Sequence, residues 1–239
     1  MKGSGGCRRA PATHGSAMDA SVIAAMARWP DVPDVFGWLS LSEQGLWRIH
    51  PDAGALSGVG GEPVSNARLM SFINRNYAND GHGRWYFQNG PQRVFVRLDA
   101  APYILRTHDS GAALRTHTGL DIDRIDAWWL DDGGRLYART EHGPGLVAGR
   151  DLGAVLDSLR TIAGLPLMEA LARAEALDTV AISLRPIGRG TGPTLSRGEE
   201  NGTTAPPTRL DDAAGVPLKF CPASKIAAVL EFDPNPGAN

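Results

Sequence analysis

Cysteine is nearly absent from this chain: among its 239 residues only Cys7 and Cys221 occur. Two such residues cannot by themselves build a disulfide framework or a zinc site, so a reducing cytoplasm is the predicted compartment. Lysine is almost as scarce, at Lys2, Lys219 and Lys225, and arginine supplies 21 of the 24 basic residues. With 26 acidic residues the formal net charge is -2, which argues against the dominant basic surface of a general nucleic-acid binder. No run approaches the roughly 18–20 apolar residues of a membrane span, so neither nucleic acid nor a membrane is an expected partner. The pair Arg8-Arg9 lacks the apolar stretch of an export signal, because Thr13-His14-Gly15-Ser16 and Asp19 break up the residues after it. The rest is 42% hydrophobic and 21% charged, the composition of a soluble globular protein with room for one large domain or two small ones.

Residues 1–17 are small, polar and aperiodic, and read as a disordered N-terminal extension. Val22, Ile23, Met26 and Trp29 then line one side of a short helix that Pro30 ends. Trp38 to Leu41 and Leu46 to His50 read as strands. Ser65 is a candidate N-cap for a helix over 66–78, with Leu69, Phe72, Ile73 and Tyr77 at helical spacing. These pieces make 18–82 a small helical and strand subdomain. From 84 to 148 the text changes to strand chemistry, over 84–88, 92–98, 102–107, 113–117, 126–131, 135–140 and 145–148. Asn89-Gly90, Asp109-Ser110-Gly111 and Asp131-Asp132-Gly133-Gly134 supply the turns. Helices over 152–163 and 167–177 and a strand over 179–184 complete a second region, 83–187. Beyond Pro186 the composition collapses into Gly, Thr, Pro, Ser and charge, so 188–239 reads as a largely disordered tail.

The fold class predicted is therefore α+β: a twisted antiparallel sheet of several hairpins packed against two or three helices. A two-residue Asn89-Gly90 turn sets Tyr86 opposite Arg93 and Arg84 opposite Phe95. One face of that hairpin carries Arg84, Tyr86, Arg93, Phe95 and Arg97; the other carries Trp85, Phe87, Val94 and Val96. A second hairpin with a turn of two or four residues sets Trp128 opposite Tyr137 and Leu130 opposite Arg135. Its polar face is then Trp128, Leu130, Arg135, Tyr137 and Arg139. Guanidinium groups are fork donors and stack on rings, so the doubled pattern suits a small anionic or planar ligand, or a protein partner. The bland alternative is that cross-strand cation–aromatic pairs stabilise sheet faces in any case.

Other constellations are thinner. Gly58-Val59-Gly60-Gly61 precedes a helix but is followed by Glu62 and Pro63, which do not suit a phosphate loop. The six histidines form no metal-binding pair, and Asp121 to Asp126 lacks the glycine and terminal glutamate of a calcium loop, so no metal or cofactor is expected. Glu141 beside His142 at a tight turn is the one candidate for acid–base work, and would make the chain a small hydrolase. A purely structural subunit is the third reading.

Gly83-Arg84-Trp85-Tyr86-Phe87-Gln88-Asn89-Gly90-Pro91-Gln92-Arg93-Val94, and the later string from Trp129 to Gly145, resemble a family of uncharacterised proteobacterial proteins with a domain of unknown function. The resemblance covers about Met18 to Leu159. More loosely, the order Gly-x-Trp, helix, Gly-x-Trp-Tyr and a strand ending in Asp99-Ala100-Ala101-Pro102 is similar to another bacterial family, suggested to act in ligand-mediated signalling. That likeness implies a sensing module and supplies no site residues. The function expected is ligand or partner binding without catalysis.

Overall fold

A computed structural model of the chain describes residues 18–58, 60–108, 113–173, 182–184 and 215–237. The chain divides into two compact units: Met1–Ser42, Leu46–Asp99 and Glu231–Asn239 form the first, and Glu43–Gly45 with Ala100–Leu230 the second. The α+β class holds. The single antiparallel sheet does not, since the strands form two mixed sheets of six and seven.

The first unit runs α1 (Ala20–Arg28), β1 (Val35–Leu41), β2 (Trp47–Ile49), β3 (Glu62–Pro63), α2 (Ala67–Arg75), β4 (Tyr77–Asn79), β5 (Trp85–Asn89) and β6 (Gln92–Leu98). Its sheet has the order β3-β2-β1-β6-β5-β4, with β1 and β6 parallel and all other neighbours antiparallel. The helix starts at Asn66, not Ser65, because the Asn66 Oδ1 accepts the amides of Arg68 and Leu69 at 2.9 and 3.1 Å. It stops at Arg75, short of the expected 78, and Tyr77 goes into a strand opposite Phe87. There its ring lies 5.1 Å from those of both Trp47 and Trp85, an aromatic cluster that outweighs one more helical turn. Phe72 of α2 meets Phe87 edge-on at 5.4 Å, which places α2 on the Trp85–Phe87 face.

The second unit contains β7 (Tyr103–His108), β8 (Ala113–Thr116), β9 (Ile125–Leu130), β10 (Leu136–Thr140), β11 (Gly143–Val147), α3 (Leu152–Ser158), α4 (Leu167–Arg173), β12 (Ile182–Leu184), β13 (Val216–Phe220) and α5 (Ile226–Leu230). The sheet order is β12-β13-β9-β10-β11-β7-β8, with β13 parallel to β9 and β11 parallel to β7. Trp128, Leu105, Leu136 and Ala138, all buried, share one of its faces.

Three expectations are corrected here. The strand run from 84 to 148 is cut at Asp99–Ala100, whereas the sequence suggested a boundary at 82/83. The edge of β6 is taken by β1, a parallel partner about sixty residues upstream that no local turn announces. The segment read as tail contributes β13, α5 and the closing residues of the first unit; Leu98 N–H donates to the Pro234 carbonyl and Asp233 N–H to that of Gly83, both at 2.9 Å. Residues 1–17, the 109–111 turn and the stretch 188–214 lie outside the described residues, as do 174–181 of the expected helix and strand.

One loop design recurs five times, at Ser42–Leu46, Asp80–Arg84, Thr116–Leu120, Asp131–Arg135 and Thr161–Leu165. The first residue's N–H donates to the fifth residue's carbonyl at 3.0, 3.0, 2.8, 3.0 and 2.9 Å. Its side-chain oxygen accepts the fifth residue's N–H at 3.1, 3.2, 2.9, 2.8 and 3.1 Å. The fourth residue is always glycine with φ between 77° and 97°. Asp, Ser or Thr thus closes the loop from inside, and glycine supplies the left-handed residue. Among the described residues no helix is long and apolar enough to cross a membrane.

Candidate functional site

The first hairpin pairs Tyr86 with Phe95, Phe87 with Val94, Gln88 with Arg93 and Asn89 with Gln92. The turn is centred on Gly90-Pro91, not on Asn89-Gly90. A φ of 58° at Gly90 followed by proline suits a type II′ turn, whereas type I′ would require a positive φ at Asn89, which is not found. The register therefore moves by two residues, which leaves every side chain on its expected face.

That face is packed rather than open. Tyr86 and Phe95 are buried, and Phe36 of β1 stacks on Phe95 at 4.8 Å. Arg84 lies over Phe95 at 4.8 Å and is held by Asp80, whose Oδ2 accepts from its Nε at 2.7 Å. Arg97 pairs with Asp99 at 2.6 Å, and Arg48 reaches the same carboxylate at 3.4 Å. Arg93 stands apart: its guanidinium lies over Tyr86 at 4.9 Å, and among the described residues it has no carboxylate within ion-pair distance. Burial pushes the Tyr86 hydroxyl above its ordinary pKa, against the pull of the Arg93 charge.

In the second hairpin Leu130 faces Leu136, Trp129 faces Tyr137 and Trp128 faces Ala138. This register is shifted by one, so faces exchange. The cause is the loop length: Asp132, Gly133 and Gly134 form three residues between the Asp131 and Arg135 closing pair, an odd number where an even one was expected. Trp128 and Leu130 leave the arginine face, and Trp128 is fully buried in the core. Trp129 takes its place, with the Arg139 guanidinium at 5.8 Å and the Lys219 ammonium at 5.1 Å from its ring centre. Arg135 is held by Asp131 at 2.8 Å and lies over Tyr137 at 5.9 Å. Burial pushes the Tyr137 hydroxyl up to about 12. Arg139 also donates to the Val229 carbonyl at 3.0 Å, near the C-terminal end of α5, where a cation is favoured.

Following the pairings across this sheet, Lys219, Trp129, Tyr137, Leu146 and Ile104 lie on one rung of one face. Arg139 and Arg106 stand two residues further along their strands, and Arg115 is the direct partner of Arg106. All four basic residues of the strands, Arg106, Arg115, Arg139 and Lys219, thus share the face of Trp129 and Tyr137. The one acidic strand residue, Asp126, is the bulged residue between Ile125 and Ala127 and pairs with Arg124 at 3.0 Å. Arg106 donates to the Gln44 carbonyl at 2.7 Å and Arg115 to Asp121 at 2.6 Å. Lys219 is exposed and has no carboxylate partner among the described residues.

Sequence reasoning missed Trp129, Lys219, Arg106 and Arg115. The Gly-Gly of the Asp131 loop could have signalled a three-residue turn and so recovered Trp129. Lys219 had no local signal, because its strand partner lies 90 positions upstream.

Glu141 and His142 are engaged in loop closure. The Glu141 carboxylate accepts the amides of Asp123 and Arg124 at 2.6 and 3.2 Å, and His142 Nε2 lies 2.8 Å from the Asp121 carbonyl. The two side chains approach to 3.6 Å, and the described residues place no hydroxyl within hydrogen-bond reach of the imidazole. Among the described residues no three His, Cys, Asp or Glu side chains gather as metal ligands.

Two solved structures resemble the chain. A DUF1285 family protein from Silicibacter pomeroyi DSS-3 is 15% identical with a TM-score of 0.41, over 62% of this chain and 79% of that one. A DUF1285 family protein from Shewanella baltica OS155 is 15% identical with a TM-score of 0.33, over 47% of this chain and 85% of that one. No curated protein matches the chain. The family model DUF2944, described as "Protein of unknown function (DUF2946)", matches residues 18–196, which reach into both units. The chain belongs to this family of unknown function.

Proposed function

We propose that the chain is a non-catalytic binding module whose second unit takes an anionic ligand beside Trp129. One observation carries this reading: the strand cations of the seven-stranded sheet all stand on one face, and two of them, Lys219 and Arg139, flank a single buried indole. Both are drawn to the negative face of the ring, and an anion bridging them would relieve their mutual repulsion. Lys219 is exposed and has no carboxylate partner among the described residues, so it is the group that meets the ligand. Arg139, tethered to α5, is the fixed one. The buried free thiol of Cys221 accords with a cytoplasmic setting. A signalling role rests on the looser resemblance alone.

Native mass spectrometry of the protein, purified without denaturant, tests the proposal. A retained anion is expected in the natural sequence and in Lys219→Arg, and its loss in Lys219→Glu. A retained mass that survives Lys219→Glu, or the lack of any retained or added anion such as citrate, would overturn it.

A further inference from the structure

Residues 231–237 sit on the first unit as a docked peptide would. They follow α5 of the second unit in the chain but belong to the first. Asp233 N–H donates to the Gly83 carbonyl and Leu98 N–H to the Pro234 carbonyl, both at 2.9 Å, so the segment bonds two separate stretches. Phe232 and Pro236 are buried, four residues apart, and the Asp233 carboxylate accepts the Asn235 amide at 2.9 Å, so the segment carries its own turn. Its two prolines restrict the backbone in advance, which lowers the cost of ordering it. The groove is shaped to this backbone at Gly83, where a Cβ would lie 2.9 Å from the Glu231 carbonyl oxygen and 3.3 Å from Phe232 Cα.

The strain lies in the link to α5. Ile226 and Leu230 of that helix are buried, and Arg139 holds the Val229 carbonyl at 3.0 Å. Glu231 alone joins this anchored helix to the buried Phe232, and its φ is 62°. Glycine commonly fills that left-handed place after a helix, and a side chain there costs about tenfold in an equilibrium. A short connection under strain favours exchange between copies, since the same contacts form in trans while the link relaxes. We infer that this groove of the first unit is an interface for the same segment of a second copy, and that two chains form a closed dimer by exchanging 231–237. The exchange keeps the bonds to Gly83 and Leu98 and the burial of Phe232 and Pro236, and it relieves Glu231 in both links. Opposing it is the tethered segment's effective concentration, millimolar for a short link, which sets dimerisation at about 10–100 μM. The groove uses none of the residues around Trp129, so failure of either reading leaves the other standing.

Light scattering of the full chain, from about 1 μM to about 1 mM and with each sample held until its mass is steady, tests the inference. The natural chain is expected to pass from monomer to dimer within that range. Glu231→Gly takes the left-handed backbone without strain and is expected to weaken the dimer at least about tenfold. Glu231→Pro cannot reach it, because its ring holds φ near about -65°, and is expected to strengthen the dimer at least about tenfold. Should the proline variant fail to fold, the glycine variant still decides. In an equal mixture of isotope-labelled and unlabelled natural chains, the NMR contacts between Leu98 and Pro234 are expected to cross from one copy to the other. A natural chain that stays monomeric throughout would overturn the inference. So would a dimer of equal strength in the natural and Glu231→Gly chains, or one whose Leu98–Pro234 contacts all stay within a chain.

Discussion

Gly134 and Gly83 occupy the same place in the same loop design, yet replacing them has different consequences. At Gly134, φ is 77° and nothing lies within 4 Å of an added Cβ, so Gly134→Ala carries only left-handed strain, about 1–2 kcal/mol. At Gly83, φ is 84° and the new Cβ would meet the Glu231 carbonyl oxygen at 2.9 Å, a backbone atom that cannot swing away. Gly83→Ala is therefore expected to cost about 3 kcal/mol or more, and urea unfolding of the two variants side by side checks the ranking. His117 offers a second test. Its Nδ1 accepts the Ile104 amide at 3.2 Å, and burial, aided by the Arg106 charge, pushes its pKa down to about 3. The unfolded chain takes up this proton near pH 6.5 and the folded chain does not, so the unfolded state holds more protons between those limits. The contribution is fully present above about pH 7 and declines as pH falls below 6.5, by up to about 1.4 kcal/mol per pH unit. Unfolding free energies at pH 7, 6 and 5 should show this slope, and His117→Gln should flatten it before the carboxylates begin to titrate.

Among the elements, the two Asp-to-Arg loops carry the hairpins that the sequence marked out. The Asp131 carboxylate has a fully buried side chain and accepts the amides of Gly133 and Arg135 and the Arg135 Nε, at 2.8 to 2.9 Å. Asp80 does the same for His82 and Arg84. Asp131→Ala strands three donors at once and is expected to cost about 2–4 kcal/mol. Asp126→Ala, which breaks a pair exposed on both sides, should stay within about 0.5 kcal/mol. Thermal melts of both variants decide the point. The same loops explain what the sequence could tell. Periodicity located both hairpins, and turn composition located their tips. In the first, a two-residue error in register left Arg84, Tyr86, Arg93, Phe95 and Arg97 on the face expected for them. In the second, a one-residue error exchanged Trp128 for Trp129, because a turn's residue count is not written in its composition. The bland reading of the arginines also gains ground at this scale, since Arg84, Arg97 and Arg135 are each held by an aspartate.

At the scale of the whole molecule, the parallel pairings were the illegible part. Turn signals report neighbours a few residues away, whereas β1 meets β6 and β13 meets β9 across long separations that depend on which edge is left open. Val216–Phe220 is a short strand with a proline and a lysine, and nothing within the segment names its partner. Removing 215–239 is expected to unfold both units, because β13 covers the β9 edge and Asp233 and Pro234 close the first unit. Removing only 231–239 should destabilise the first unit alone; dispersion of the backbone NMR signals, unit by unit, distinguishes the two results. The position of β13 also sets a timetable. On the ribosome, Trp128 is made 90 residues before Leu218, its partner across the sheet. At about 5–20 residues per second, the outer edge of β9 waits roughly 5–18 s for its neighbour, unpaired and next to two tryptophans. Such an edge is a template for association with other nascent chains. The yield of soluble protein should thus depend on how quickly codons between 130 and 216 are read, a burden that the finished fold no longer displays.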